Sequence, residues 1–490
     1  MAYVLLKNGL VLTFKNGDPN AHELQADVLI KGDTIIDVKQ GLELPSGSDG
    51  EVVDCTGKWI TPGQIDTHRH VWMSVMRGQQ ADWTLVEYLM KMTYAQSPYV
   101  TASEAHIGTL AGCLEAISNG ITTVVDHAHV INTPAHAPTM IDAHKQSGIR
   151  SRFCYGRATP IPANFAFTKE REEEFRTWQL KQLTELALEG EKNGFGMGML
   201  SDRVGLGLGY DALRGSRPHE DNIEAHREVL ALARKYRLSP ITAHFVESPS
   251  GGYVQAAKIF SDVGVLESDV LFSHCTGISD EEWELMKSSG ASVASTPEDE
   301  LGMGHGNPVA YEAVKRGVRV GLGCDCVSIQ SADLFTQMRV ALQWQRGQDH
   351  AILAHSRKPP LRNNLTSASA FRLATLGGAE AIHQEDKLGT IEPGKLADIV
   401  IINAENSMNL VGAVNPIQGY VFWAKGEDVE SVLVNGEWVK RDGRLTKVPW
   451  EDVVGRLKEA MKSVDSRRKK GEEGEEAYNQ ALHASGCVTQ

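Results

Sequence analysis

A chain of 490 residues exceeds what one simple core accommodates and calls for two or three domains. Its 41% hydrophobic and 23% charged content is that of an ordinary globular protein, and a net charge of -14 spread along the chain argues against nucleic-acid binding through a basic surface. No apolar run approaches the roughly 20 residues that span a bilayer, and the first residues carry no signal-peptide pattern. Seven cysteines without zinc-ribbon spacing point to reduced thiols and a cytoplasmic setting.

Residues 1–59 are strand-rich, with β-prone runs over 3–13 and 26–38 broken at Asn8-Gly9 and Gly32-Asp33 turns. Next comes Pro62-Gly63-Gln64-Ile65-Asp66-Thr67-His68-Arg69-His70, the end of a buried strand. Side chains at i and i+2 of a strand share a face, so His68 and His70 can grip one metal ion while Arg69 points away.

From about residue 59 to 388 the pattern alternates short strand, loop and amphipathic helix. Thr101-x-x-Glu104 is a capping box that opens a helix with Ile107, Leu110, Ala111, Leu114 and Ile117 on its apolar face. Gly120 stops it, and a strand over 121–126 follows. A helix over 224–236 precedes the strand ending at His244, and a strand ending at His274 precedes a helix capped by Ser279-x-x-Glu282. A strand over 291–295 and a helix over 309–316 lead to a last strand over 318–325, with Cys324 and Cys326 as small buried fillers.

Such alternation implies a parallel sheet, and the count fits eight units closed into a (β/α)8 TIM-type barrel. No Gly-x-Gly-x-x-Gly follows the first strand, which removes the dinucleotide fingerprint. Long loops over 72–99 and 158–176 fall on the active face.

Strand texture returns at 397–402 and in a hairpin over 431–439 with an Asn435-Gly436 turn. Neither end alone has enough strands for a stable sheet, so both ends are expected to build one small β-sandwich. The expected domains are 1–59 and 389–445 for the two parts of the sandwich, 60–388 for the barrel, and 446–490 for a helical tail. In that tail Val453, Leu457 and Met461 share a face, and Arg467-Arg468-Lys469-Lys470 with the Glu-rich stretch after it reads as solvated surface.

His68, His70, His244, His274 and Asp325 all stand at the C-terminal ends of expected strands, where barrel enzymes place their chemistry. His68, His70, His244 and Asp325 form an N/O shell for one divalent ion, zinc first and ferrous iron as the alternative. Such an ion lowers the pKa of bound water from about 15.7 to about 7. Glu247, three residues beyond His244, is placed to shuttle protons. His274 is either a further ligand or, as favoured here, a hydrogen-bonding partner of nucleophile and substrate. Asp325 is expected to take the water proton as well as bind metal. Trp72, Trp83 and Tyr210 are candidates to wall a flat substrate.

Taken together these motifs resemble the amidohydrolase superfamily, in particular its mononuclear branch of cytosine deaminase, guanine deaminase, adenosylhomocysteine deaminase and s-triazine hydrolases. Residues 62–70 look like the family's first-strand signature, and Met76-Arg77-Gly78 with 83–89 resembles its first substrate loop. His244-Phe245-Val246-Glu247, Ser273-His274 and Gly321-Leu322-Gly323-Cys324-Asp325 resemble its later motifs, and 388–400 resembles the return to the β-domain. The resemblance implies a distorted (β/α)8 barrel with a β-sandwich from both ends, and one zinc ion. Binuclear relatives use a lysine on the fourth strand; residues 204–210 here contain none.

Two departures set the chain apart. Residues 296–305 replace the family's Pro-x-Ser-Asn segment, and Glu298, Asp299 or Glu300 becomes a candidate to receive a cationic or NH-rich substrate. Cys324-Asp325-Cys326 replaces Thr-Asp-Gly, which argues against a direct transfer of nucleoside specificity. The expected activity is hydrolytic deamination of a nitrogen heterocycle (aminopurine, aminopyrimidine, pterin or triazine) by metal-activated hydroxide in a homodimer or higher homo-oligomer. The alternatives are dechlorination, N-dealkylation or cyclic-amide opening at the same site, and a catalytically silent oligomeric scaffold.

Overall fold

The computed structural model describes residues 2–467 except 16, 19, 95, 157–168, 214–219 and 248–254. Both chain ends enter one nine-stranded sheet. Its middle is Tyr3–Thr13, which pairs antiparallel with His22–Lys31 and parallel with Gly50–Asp54 and Trp59–Pro62. Trp59–Pro62 then pairs antiparallel with Ile399–Ile402, and the sheet continues through Val429–Val434 and Glu437–Arg441. Leu6, Val11, Val28 and Ile60 from the front of the chain share one buried cluster with Ile399, Ile401 and Leu433 from its end. Each end supplies part of a core that neither completes.

The Asn435-Gly436 turn forms as expected, with φ of 51° and 69°, the left-handed pair that a two-residue hairpin needs. Asn8-Gly9 is a correction. The strand runs straight through it, and the pairing register shifts between Leu6 and Gly9 at a bulge with Asn8 at φ 63°. Gly9 is needed for close approach, since a Cβ there would lie 2.4 Å from Cδ1 of Ile60.

The second sheet holds eight strands, all parallel and in chain order: Gln64–Arg69, Ile121–Ala128, Arg150–Gly156, Val204–Gly209, Ile241–Val246, Val270–Thr276, Ser292–Ser295 and Val320–Leu322. A parallel bridge between Arg69 and Asp325 joins the last unit back to the first. The architecture is a distorted barrel with helices between its strands. The capping boxes at Thr101/Glu104 and Ser279/Glu282 open the helices Ala102–Ser118 and Asp280–Ser289. The last strand is shorter than the expected 318–325, so Asp325 stands three residues beyond it on irregular backbone.

Neither long loop is bare. Residues 72–99 contain a 3-10 helix over Val71–Met76 and a capped turn over Leu85–Tyr88. The expected loop over 158–176 is already helical from Lys169, within Lys169–Lys192. That stretch begins Lys-Glu-Arg-Glu-Glu-Glu, which hides the apolar period from a sequence reading; residues 158–168 lie outside the described part. The helix Trp450–Ser466 buries Val453 and half-buries Leu457 and Met461 against the main core. Arg467, expected in solvent, instead pairs with Glu104 at 2.5 Å, and 468–490 lie outside the described residues. Among the described residues no helix is long and apolar enough to cross a membrane.

Gly323 lies against the backbone of the first strand at the closure: a Cβ would stand 2.7 Å from the His68 carbonyl oxygen and 2.9 Å from its nitrogen. Gly323→Ala should therefore cost about 1–3 kcal/mol as overpacking, read as a lowered denaturation midpoint. An unchanged midpoint would show that the closure is looser than described.

Candidate metal centre and active site

The strand pleat sends His68 and His70 to the same interior face, and barrel closure brings Asp325 onto them. Asp325 Oδ1 is 3.3 Å from His68 Nε2 and 3.2 Å from His70 Nε2. His244 arrives from the fifth strand with its Nε2 3.2 Å from His70 Nε2. Ligand atoms of His68, His70, His244 and Asp325 all lie within 4.8 Å of one another. The structure gathers the four residues that the sequence reading put together.

The remaining ring nitrogens say which atoms face inward. His70 Nδ1 donates to the His127 carbonyl at 2.8 Å. His244 Nδ1 lies 3.0 and 3.1 Å from the two carboxylate oxygens of Asp211, which also accepts the His244 backbone N–H. Both rings thus turn Nδ1 to those partners, and their Nε2 atoms face each other beside the Asp325 carboxylate. Among the described residues His68 Nε2 is buried without a hydrogen-bond partner, a third nitrogen turned to the same point. The donor set fits zinc or ferrous iron. Burial, helped by the neighbouring His127 and His68, holds His244 well below its ordinary pKa against the pull of Asp211, so the ring stays neutral as a ligand must.

His274 takes a different place. Its Nε2 lies 3.4 Å from the other oxygen of Asp325, and its Nδ1 lies 2.9 Å from Thr296 Oγ1. His274 and Asp325 have φ of 77° and 52°, a left-handed backbone that non-glycine residues avoid. Each such residue costs about 1–3 kcal/mol, and here both belong to the site. Asp325 is held well below the usual carboxylate range: burial alone would raise it, and the surrounding imidazoles outweigh burial.

A scan against family models matches residues 59–439 to the "Amidohydrolase family". The chain belongs to the amidohydrolase family. Among curated proteins it is 27% identical to a 5-methylthioadenosine/S-adenosylhomocysteine deaminase of Pyrococcus abyssi, over 93% of this chain and 98% of that one. Its fold matches a zinc-bound adenosine deaminase of Xanthomonas campestris with TM-score 0.75 and 19% identity, covering 95% and 99% of the two chains. It also matches the zinc-complexed atrazine chlorohydrolase of Arthrobacter aurescens TC1, with TM-score 0.76 and 21% identity over 94% and 100%. At those identities the two structures establish the fold.

Other candidates of this amidohydrolase fall in less uniform places. Glu247 is one residue past the strand that carries His244, and one carboxylate oxygen accepts the Gln255 backbone N–H. Trp72 is fully buried and donates from Nε1 to His129, whose ring stacks on His70 at 4.1 Å. Trp83 is half-buried beneath Lys91. Tyr210 bonds His226 through its hydroxyl at 2.6 Å. Glu298 turns to the long helix Leu334–His355, where Gln337 donates to it at 2.8 Å, and it also accepts from Ser331. Its neighbours on the helix Pro297–Gly302 face inward instead. Burial and the charge of Asp325 push Asp299 well above the carboxylate range, and burial pushes Glu300 up to about 8.

Four polar residues at the site were not singled out from sequence: His127, His129, Asp211 and His305. His127-Ala128-His129 repeats on the second strand the i, i+2 signature of His68 and His70. Asp211 follows the fourth strand by two residues, the strand-end signal already used elsewhere. His127 Nε2 lies 3.3 Å from Asp211, and its Nδ1 lies 2.9 Å from Thr242 Oγ1, so Asp211 is itself held. Asp211→Asn should weaken zinc affinity by about 10–100-fold through loss of His244 orientation. Competition with a chromophoric chelator checks this; unchanged affinity would contradict it.

Proposed function

We propose that this amidohydrolase is a zinc-dependent hydrolytic deaminase of a nitrogen heterocycle, with adenine-type nucleosides the first substrates to test. The observation that carries the reading is the convergence of His68, His70, His244 and Asp325. The name of the Pyrococcus relative supports the adenine class, although residues 296–305 depart from the family's usual segment.

A divalent ion in this shell supplies Lewis acidity and an acidified water. The chain's own residues do the rest. Asp325 is placed to accept a proton at the carboxylate, with His274 hydrogen-bonding its second oxygen and the tetrahedral carbon's substituents. Glu247 passes one of the two water protons to the ring nitrogen beside the attacked carbon. Glu247 or Asp325 passes the other to the amino group, which departs as ammonia when the carbon–nitrogen bond breaks. The reading also includes a cytoplasmic homo-oligomer. The six described cysteines, all buried and unpaired, support the compartment.

A screen of adenosine derivatives, aminopyrimidines, pterins and amino- or chlorotriazines should release ammonia; release of chloride or alkylamine in its place would move the protein to the chlorohydrolase chemistry. In Glu247→Gln, bound zinc should persist while kcat falls at least about 100-fold. Undiminished turnover would remove Glu247 from proton transfer.

A further inference from the structure

The reaction just described leaves His305 without a task, and the fold treats that residue unusually. Its side chain is 3% exposed, yet neither Nδ1 nor Nε2 has a hydrogen-bond partner among the described residues. Buried polar groups are normally satisfied, and one that is not calls for an explanation.

The ring is not misplaced by a slack loop. Thr276 Oγ1 donates to the His305 carbonyl at 2.8 Å, and the Gly306 N–H donates to the Glu300 carbonyl at 3.2 Å. On the near side the Leu85 N–H donates to the Met303 carbonyl at 2.9 Å, which ties this segment to the loop after the first strand. Gly304 and Gly306 take φ of 73° and 138°, turning the chain sharply on both sides of His305. This backbone presses the imidazole edge-on against His274, with ring centroids 4.6 Å apart and planes at 79°. His274 in turn reaches Asp325 at 3.4 Å. Two uncommitted nitrogens are therefore held one ring away from the centre. The chain at Gly304 and Gly306 is exposed, whereas the ring between them is shut off from solvent.

We propose that His305 is a substrate-binding residue, which hydrogen-bonds a ring nitrogen of the heterocycle while His274 holds it edge-on. The assignment rests on the deaminase reading above and deepens it. A neutral imidazole offers one donor and one acceptor, and burial together with His274 holds this one at about 3, so it stays neutral. His305 would then select heterocycles with nitrogen, not C–H, at the atom it meets. A site built to hydrogen-bond a polar atom rejects analogues that lack it far better than an apolar wall rejects a bulky group.

The test uses the zinc-loaded full chain, adenosine, and three analogues with one ring nitrogen each replaced by C–H. His305→Leu should keep its zinc content and thermal midpoint, raise KM for adenosine about tenfold or more, and change kcat less than KM. His305→Gln, which retains a donor and an acceptor, should recover most of the loss. One of the three analogues should be bound equally by wild type and His305→Leu, which identifies the nitrogen that is read. Unchanged KM in His305→Leu, loss of zinc, or the same penalty with every analogue would overturn the proposal. Wild-type protein that acts on no heterocycle overturns both this and the deaminase reading. A wild type that turns over normally beside an unaffected His305→Leu overturns the His305 assignment alone.

Discussion

The site depends on two backbone hydrogen bonds at the seam of the barrel. The Asp325 N–H donates to the His68 carbonyl at 2.9 Å, and the His70 N–H donates to the Asp325 carbonyl at 3.1 Å. They continue a parallel ladder past the end of the eighth strand, and the same residue that closes the barrel delivers the carboxylate between two imidazoles. The closure has a cost in backbone strain at Asp325, which the surrounding packing offsets. Asp66, fully buried, accepts the N–H groups of Cys324 and His68, and Arg69 neutralises it at 3.0 Å. Arg69 points away from the centre because His68 and His70 point into it. One three-residue alternation thus supplies two ligands and the counter-charge that anchors them.

A second constraint fixes the orientation of the rings. A histidine placed near a metal is useful only if its lone pair faces the ion, and the opposite nitrogen decides that. The His127 carbonyl does this for His70 and Asp211 does it for His244. Asp211 is in turn braced by His127, which Thr242 holds. This chain of contacts runs across the second, fourth and fifth strands, so the centre is sensitive to packing far from the ligands themselves.

What was legible in the sequence is what local periodicity encodes. Strand alternation placed His68 and His70 on one face, strand ends placed His244, His274 and Asp325, and capping boxes at Thr101 and Ser279 set helix starts. The turn at Asn435-Gly436 was readable because only left-handed backbone closes so tight a hairpin. Asn8-Gly9 carries a similar signal but serves a bulge, and the deciding contact, Ile60, is more than fifty residues away. In the acidic run 298–300 the difficulty is helical phase. Three adjacent carboxylates point in different directions, and only the position of the long helix after Asp333 sends Glu298 outward and leaves Asp299 and Glu300 inside. His305 was illegible for a related reason: its burial follows from turns at two glycines and a contact with His274, neither of which has a local pattern.

Metal content measured against the ligand set tests this account most directly. Elemental analysis of gently purified protein should find one divalent ion per chain, zinc foremost, and His68→Ala or Asp325→Ala should lose it while remaining folded by circular dichroism. A wild type that carries no divalent ion when supplied with zinc, or variants that retain it in full, would contradict the central claim that these strand-end residues form one metal centre.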